Sequence, residues 1–345
     1  MDFPQSKQAF EARFPRLKVR SQIIRFIRAF FENKGFCAVE SNILQVMPGA
    51  DVHIHAFQTT QFGLDHAPLR DIYLHQSPEF AMKKLLVAGR DVGLDKIYQI
   101  VPVFRNCEDS KLHSAEFTMI EWYRTHDCYE TIMQDCEDLL IGIARDLNIT
   151  EFRFKDRVCN ALARCKKLRV RDAFQKFYGF DLADVLNDRD AFVSALGSNC
   201  GFVIRDNDSW DDIFFAAMAH KIEPNLGHGN PTILYEYPAH MAALSRVCDD
   251  DKRFAKRFEL YVCGVELANA FDELTDAAEQ RKRFVEDMAE KQKIYGNTFP
   301  IDEEFLTAIE YGLPPTGGIA LGVDRLIMLA TNADTIDDVL WWGKV

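Results

Sequence analysis

Hydrophobic positions along the chain fall into two alternating rhythms. In residues 17–35, Ile23, Ile24, Ile27, Phe30 and Phe31 recur at helical spacing and Gly35 follows as a stop, which predicts an amphipathic helix. A short strand is expected at 36–40, and 45–70 reads as loop with extended pieces. Ser77-Pro78-Glu79 supplies a cap, a proline at the first position and an early carboxylate, so a helix is predicted over 80–87. Two extended runs, 97–104 and 116–123, flank a polar loop of hairpin length. A helix follows at 129–147. Helical stretches at 170–177, 188–196 and 210–222 mark 150–230 as an inserted, mostly helical segment. Strands are expected at 232–237, 258–262 and 265–271, and a charged helix at 277–295. A glycine-rich run, 317–322, enters a last helix at 324–331. Hairpins and long insertions separate the strands, not regular βαβ units, so the pattern predicts an α+β fold with a mainly antiparallel sheet.

Composition narrows the class. Of 345 residues, 48% are hydrophobic and 27% charged, the balance of a soluble globular protein. The net charge of −12 argues against a broad nucleic-acid or membrane footprint. The nine cysteines include no C-x-x-C pair, which removes zinc-ribbon spacing and suits reduced thiols. No basic-then-apolar leader opens the chain and no apolar run is long enough for a bilayer, so a cytoplasmic protein without membrane contact is expected.

Four stretches carry chemistry. On the second strand of the 97–123 pair, alternation puts Phe117, Met119, Glu121 and Tyr123 on one face. Glu121 either reaches solvent at an edge, pairs with a lysine, or is buried with a partner. In Val265–Asp272 and the residues after it, Asn269, Phe271 and Glu273 share a face, and Glu266 joins them only if the strand twists or bulges. Such acids suit a Mg²⁺–phosphate site or a solvated strand end. In the 317–322 run, glycines let backbone approach a ligand, and Arg325 in the next helical turn could grip a phosphate. The other reading is a tight turn with a surface arginine. His53 and His55 alternate as the start of some metal sites do, but no later ligands stand out, which favours an exposed or hydrogen-bonded pair.

Taken in order, FRN…H..EFTMIEWY and GGIALGVDRLIMLA resemble motifs 2 and 3 of the class II aminoacyl-tRNA synthetases, nearest to the lysyl branch. VELANAFDELTDA resembles its lysine-binding strand, and HQSPEFAMKKLLVAG and PTILYEYPAHMAAL also match. The resemblance runs from about residue 17 to the C-terminus. A lysyl-type core that starts almost at residue 1, with no anticodon-binding domain before it, resembles the elongation factor P lysine ligase family. It implies one class II catalytic domain over 1–345, an antiparallel sheet flanked by helices, and a homodimer through residues 17–45. It implies ATP and Mg²⁺ as cofactors, (R)-β-lysine as the amino acid, elongation factor P as the protein substrate, and no tRNA anticodon contact.

The same resemblance assigns residues. Ser77, Pro78, Glu79, Glu121, Tyr123, Asn269, Phe271 and Glu273 fall in the amino-acid pocket. Glu79 would hold an amino group near the reacting end, and Glu273 with Tyr123 the side-chain ammonium. Arg105, Asn106, Cys107, Ser114, Glu266, Leu267, Gly322 and Arg325 fall in the ATP site. Arg105 and Arg325 would act on the α- and γ-phosphates, and Glu266 and Glu273 would organise Mg²⁺. Ala320 replaces a glycine of lysyl-tRNA synthetases, and its methyl is read as favouring a β-amino acid. Cys107 stands where motif 2 has a glutamate for adenine, with Glu108 beside it. Ser114, Ala115, Ala270 and Asn42 also depart from the pattern. An enzyme activating α-lysine for another acceptor and a non-catalytic paralogue are the alternatives.

Overall fold

The computed structural model describes residues 3–197 and 200–344. Its elements, in chain order, begin with helix α1 (Phe3–Asn33), strands β1 (Cys37–Ala38), β2 (Leu44–Gln45), β3 (Gln58–Phe62) and β4 (Pro68–Leu74), and helix α2 (Glu79–Gly89). The hairpin β5 (Lys96–Phe104) and β6 (Glu116–Thr125) leads to α3 (Tyr129–Leu147). Then come β7 (Glu151–Phe154), β8 (Arg157–Asn160), β9 (Lys166–Arg169), α4 (Val170–Tyr178), α5 (Arg189–Leu196) and α6 (Trp210–Ala217). The last part holds β10 (Thr232–Pro238), β11 (Phe254–Val262), β12 (Val265–Asp272), α7 (Ala277–Tyr295), α8 (Glu303–Gly312), β13 (Thr316–Gly322) and α9 (Val323–Thr331).

Eight strands form the main sheet in the order β1-β5-β6-β13-β12-β11-β10-β9. Pairing is parallel at the two ends, β1 with β5 and β10 with β9, and antiparallel between them. The α+β class with an antiparallel sheet flanked by helices is therefore what the chain adopts. One face of the sheet carries the largest core, where Ile23, Ile27 and Phe31 of α1, Trp122 of β6, Leu139 of α3 and Leu326 of α9 are all buried. Arg20 ties three elements beneath it: it pairs with Asp324, and its Nη2 donates to Thr118 Oγ1 at 2.7 Å. Asp324 in turn accepts from the Thr118 N–H at 2.6 Å.

Several boundaries differ from expectation, each for a visible reason. Helix α1 begins at Phe3 and carries Pro15 inside it. Residues 5–16 are largely exposed, so no buried stripe announced them. The segment 150–230 opens with strands, not helices: β7 and β8 form their own hairpin, and β9 adds a parallel edge beside β10. Strand β9 reads KKLR, a polar tetrapeptide that becomes a strand only through its partner. Helix α8 went unpredicted although Asp302 caps it through the Phe305 N–H at 3.0 Å. Pro78, not Ser77, occupies the cap position of α2. The 317–322 run is a central strand, not a turn. A Cβ at Gly317 would meet Ile132 Cγ1 at 2.7 Å, and one at Gly318 would overlap Glu273 and Tyr123.

Candidate functional site

Two clusters lie on the face of the sheet opposite that core, at different ends of the same strands. Register fixes what they share. Tyr123 and Glu121 of β6 stand opposite Gly318 and Ala320 of β13. Those in turn stand opposite Phe271 and Asn269 of β12, which face Arg257 and Glu259 of β11. Directly paired residues project to the same side, so this row lines one cleft. Along the cleft face of β13 stand Gly318, Ala320 and Gly322, and Ala320 alone carries a methyl group.

The first cluster is a carboxylate cage. Glu121 is fully buried, which answers the question its strand raised. Ser77 Oγ donates to its Oε1 at 2.5 Å and Tyr123 Oη to its Oε2 at 2.8 Å. Burial, then Glu79, push its pKa up to about 8, against the pull of the two hydroxyls and Lys83. Ser77 Oγ also accepts the Glu79 N–H at 3.0 Å, so one hydroxyl bonds both the first residue of α2 and the buried acid. Glu79 and Glu273 share a buried lysine, Lys83, whose Nζ lies 2.6 Å from Glu79 Oε1 and 2.5 Å from Glu273 Oε2. Burial opposes the Lys83 charge, but Glu273 and Glu79 outweigh it and its pKa rises. Glu273 Oε1 and Asn269 Oδ1 are buried without a hydrogen-bond donor.

The second cluster gathers arginines at the other end. Arg105 lies over the Phe117 ring, 5.3 Å from its centroid, and donates to the Gln76 carbonyl at 3.4 Å. Arg325 donates to the Glu266 carbonyl at 2.8 Å and to His113 Nε2 at 2.7 Å. Glu266 reaches this face because the register between β11 and β12 slips at Leu267: Leu260 pairs with Ala268 but Tyr261 with Glu266. The bulge the sequence required is therefore present. The Leu267 side chain lies in the main core, so only its backbone borders the cleft.

The structure separates some residues that the sequence placed together. Glu266 and Glu273 are seven positions apart on one strand, roughly 20 Å at strand spacing, and Glu273 belongs to the cage. One ion cannot be held by both, and the expected metal pair is corrected accordingly. The acid beside Glu266 is Glu259: burial and then Glu259 push the Glu266 pKa up. Glu259 is itself held by Arg257 at 2.7 Å and Tyr261 Oη at 2.6 Å. Among the described residues no three His, Cys, Asp or Glu are set to hold a metal by themselves. Mg²⁺ usually takes only one or two carboxylates beside nucleotide phosphates. Ser114 is buried and lines a cavity of about 630 Å³ that also touches Pro102, Thr118 and Trp341, behind the β5–β6 hairpin. Cys107 is exposed with φ 63°, and its N–H bonds the Asn106 side chain at 2.9 Å. Glu108 lies 3.9 Å from Arg105. His53 bonds Tyr295 Oη at 3.0 Å, and the His55 ring meets the Tyr295 ring edge-on.

Sequence reasoning missed Lys83, Glu259 and Arg257. Lys83 follows Glu79 by four residues, a spacing most often found on helix surfaces. Glu259 and Arg257 alternate on a strand where the notable signal was their pairing with Asn269 and Phe271, visible only in the register.

Comparison with known proteins agrees with this geometry. The sequence model of the class II tRNA synthetases (D, K and N) matches residues 10–345. An elongation factor P–(R)-β-lysine ligase of Sodalis glossinidius is 38% identical over 323 residues, 93% of this chain and 92% of the relative. Proteins of the same name from Edwardsiella ictaluri and Pseudoalteromonas translucida are 36% and 35% identical, covering 93% and 94% of this chain and 92% and 94% of theirs. No helix among the described residues is long and apolar enough to cross a membrane. With motif, fold and near full-length identity in agreement, the chain belongs to the class II aminoacyl-tRNA synthetase family and, within it, to the elongation factor P–(R)-β-lysine ligases.

Proposed function

We infer that the protein uses ATP to activate (R)-β-lysine as an aminoacyl-adenylate and transfers it to a lysine side chain of elongation factor P. The observation that carries this reading is the cage: buried Glu121 and Glu273 and half-buried Glu79 face a single buried cation, Lys83. That imbalance suits a ligand bearing two ammonium groups, and the undonated Glu273 Oε1 and Asn269 Oδ1 offer it acceptors.

In this reading the amino-acid carboxylate lies toward Arg105 and attacks the α-phosphorus of ATP, and pyrophosphate leaves. The nucleophile is already ionised, so no side chain must act as a base. Arg105 and Arg325 supply positioning and charge neutralisation. Phe117 offers a flat apolar face beside Arg105. Glu266 with Glu259 would hold Mg²⁺, which neutralises phosphate charge when bound. In the second step a neutral lysine amine of the acceptor attacks the mixed anhydride and AMP leaves. Ala320, between Glu121 and Asn269 in the sheet, narrows the cleft where an α-amino group would lie and favours the β-isomer.

The same reading takes the chain as one catalytic domain with 150–230 as its insertion, acting in the cytoplasm as a homodimer. Exposed Leu44, at the end of the segment expected to pair, supports that surface. ATP–pyrophosphate exchange with (R)-β-lysine, L-α-lysine or no amino acid tests the reading. Exchange fastest with β-lysine is expected. Exchange fastest with α-lysine would move the assignment to another acceptor, and no exchange at saturating ATP would favour a non-catalytic paralogue.

A further inference from the structure

The lysine inside the cage has no part in the reaction just described, yet it is among the most completely buried side chains of the molecule. A buried ammonium is costly unless it is paired. Here it is held by Glu79 one turn earlier in α2 and by Glu273, just past the end of β12. The groups facing it come from every element around the cage. Glu121 and Tyr123 stand on β6, and Ser77 precedes α2. Asp272 beside Glu273 is already occupied by Arg246 at 2.8 Å. Gly318 of β13 closes the floor, with no room for a Cβ between Glu273 and Tyr123. The position is thus fixed from all sides, and the ammonium cannot be a solvated surface charge.

We propose that Lys83 is a positioning and specificity-determining residue whose fixed ammonium fills one cation place in the cage, so that the pocket accepts amino acids carrying two ammonium groups. The argument is a charge count that rests on the proposed function. With the ligand bound and Glu121 ionised, three carboxylates against Lys83 leave a deficit of two positive charges. A diamino acid supplies both. A monoamino acid leaves one carboxylate bare, and a pocket without Lys83 leaves one bare even with the diamine inside. Lys83 Nζ pairs with Glu273 Oε2 at 2.5 Å, and Oε1 has no such cation beside it.

The test is pyrophosphate exchange by the full-length protein, wild type and Lys83→Ala, with (R)-β-lysine, L-α-lysine and 3-aminohexanoic acid, which lacks the second amine. Wild type should prefer the diamines. Lys83→Ala should raise the diamine KM at least ~30-fold, the loss expected when one partner of a buried charge pair is removed, with a smaller change in kcat. n-Propylammonium, which restores the missing cation in the vacated space, should recover part of that loss, and neutral 1-butanol should not. Unchanged KM and unchanged selectivity in Lys83→Ala would overturn the proposal. Equal loss of kcat and KM without rescue by the amine would overturn it too, as the signature of a merely structural lysine. A wild-type protein that exchanges with none of the three acids overturns the functional reading and this proposal together, whereas an active wild type with an indifferent Lys83→Ala overturns this proposal alone.

Discussion

Arg325 Nη2 lies 2.7 Å from His113 Nε2, across the cleft between α9 and the loop of the β5–β6 hairpin. A guanidinium can only donate, so Nε2 must be the acceptor and the ring proton sits on Nδ1, where it reaches Ser110 Oγ at 2.7 Å. Burial, then Arg325 and Arg105, push the His113 pKa down to about 4. The contact holds in place the guanidinium proposed to grip a phosphate of ATP. Arg325→Ala should lower kcat at least ~100-fold, the scale of a lost charge-stabilising donor, while His113→Ala should mainly raise the KM for ATP.

The same histidine carries a pH signature. Its folded-state pKa lies below the ordinary value, so below about pH 6.5 the unfolded chain takes up a proton that the native ring refuses. Stability should fall as pH drops from about 6.5 to 4 and level off beneath. His113→Gln should flatten that part of the profile in a series of thermal melts; an unchanged slope would remove His113 as its source.

Glu121 titrates in the opposite sense. Its pKa is raised to about 8, so between about 4.5 and 8 the native state holds a proton that the unfolded chain has lost. Native stability of the empty protein should therefore decline as pH rises through that window, and Glu121→Gln should decline less. Substrate ammonium groups need the ionised form, so the KM for the amino acid should drop as pH rises toward 8.

Separation of the acids along β12 makes the metal assignment testable. Glu259→Gln and Glu266→Gln should each raise the Mg²⁺ concentration needed for half-maximal exchange by about tenfold, as loss of one of two carboxylate ligands does. Glu273→Gln should leave the Mg²⁺ curve in place and raise the KM for the amino acid. A shift of the Mg²⁺ curve in Glu273→Gln alone would assign the metal to Glu273 and not to Glu259 and Glu266.

Arg20 of α1 and Asp324 of α9 form a buried pair. Arg20→Leu leaves Asp324 charged, buried and short of a partner. It should cost ~3–5 kcal/mol of stability, the usual penalty for breaking such a pair from one side. Chemical denaturation reads this directly. Arg20→Leu with Asp324→Leu together should recover part of the loss.

The fold was largely legible because its strands and longer helices carry clear periodicity. Tyr129–Leu147 and Ala277–Tyr295 appear at their expected bounds. What escaped the sequence was held by partners distant along the chain. Strand β9 exists through its pairing with β10, and Glu266 turns into the cleft through a bulge set by β11. Lys83 looks like half of an ordinary helix-surface pair until Glu273, 190 residues later, arrives to share it. The alternation of β6 did flag Glu121 as anomalous, because a carboxylate among Phe117, Met119 and Tyr123 asks for a compensating group. Only the structure could supply Ser77 and Tyr123 as the answer.

Among the described residues, strand β13 is the last in sequence and sits fourth in the sheet, between β6 and β12. During synthesis from the N-terminus, both neighbours have left the ribosome before the strand that joins them has been translated. Until then β6 and β12 each present an open backbone edge, of the kind that recruits other chains. Glu273 and Tyr123 also lack the Gly318 backbone that closes the floor between them. The pocket is thus completed by a late long-range insertion, which loop-closure entropy makes slow. Truncation even a few residues into β13 should yield an aggregating chain, not a weaker enzyme.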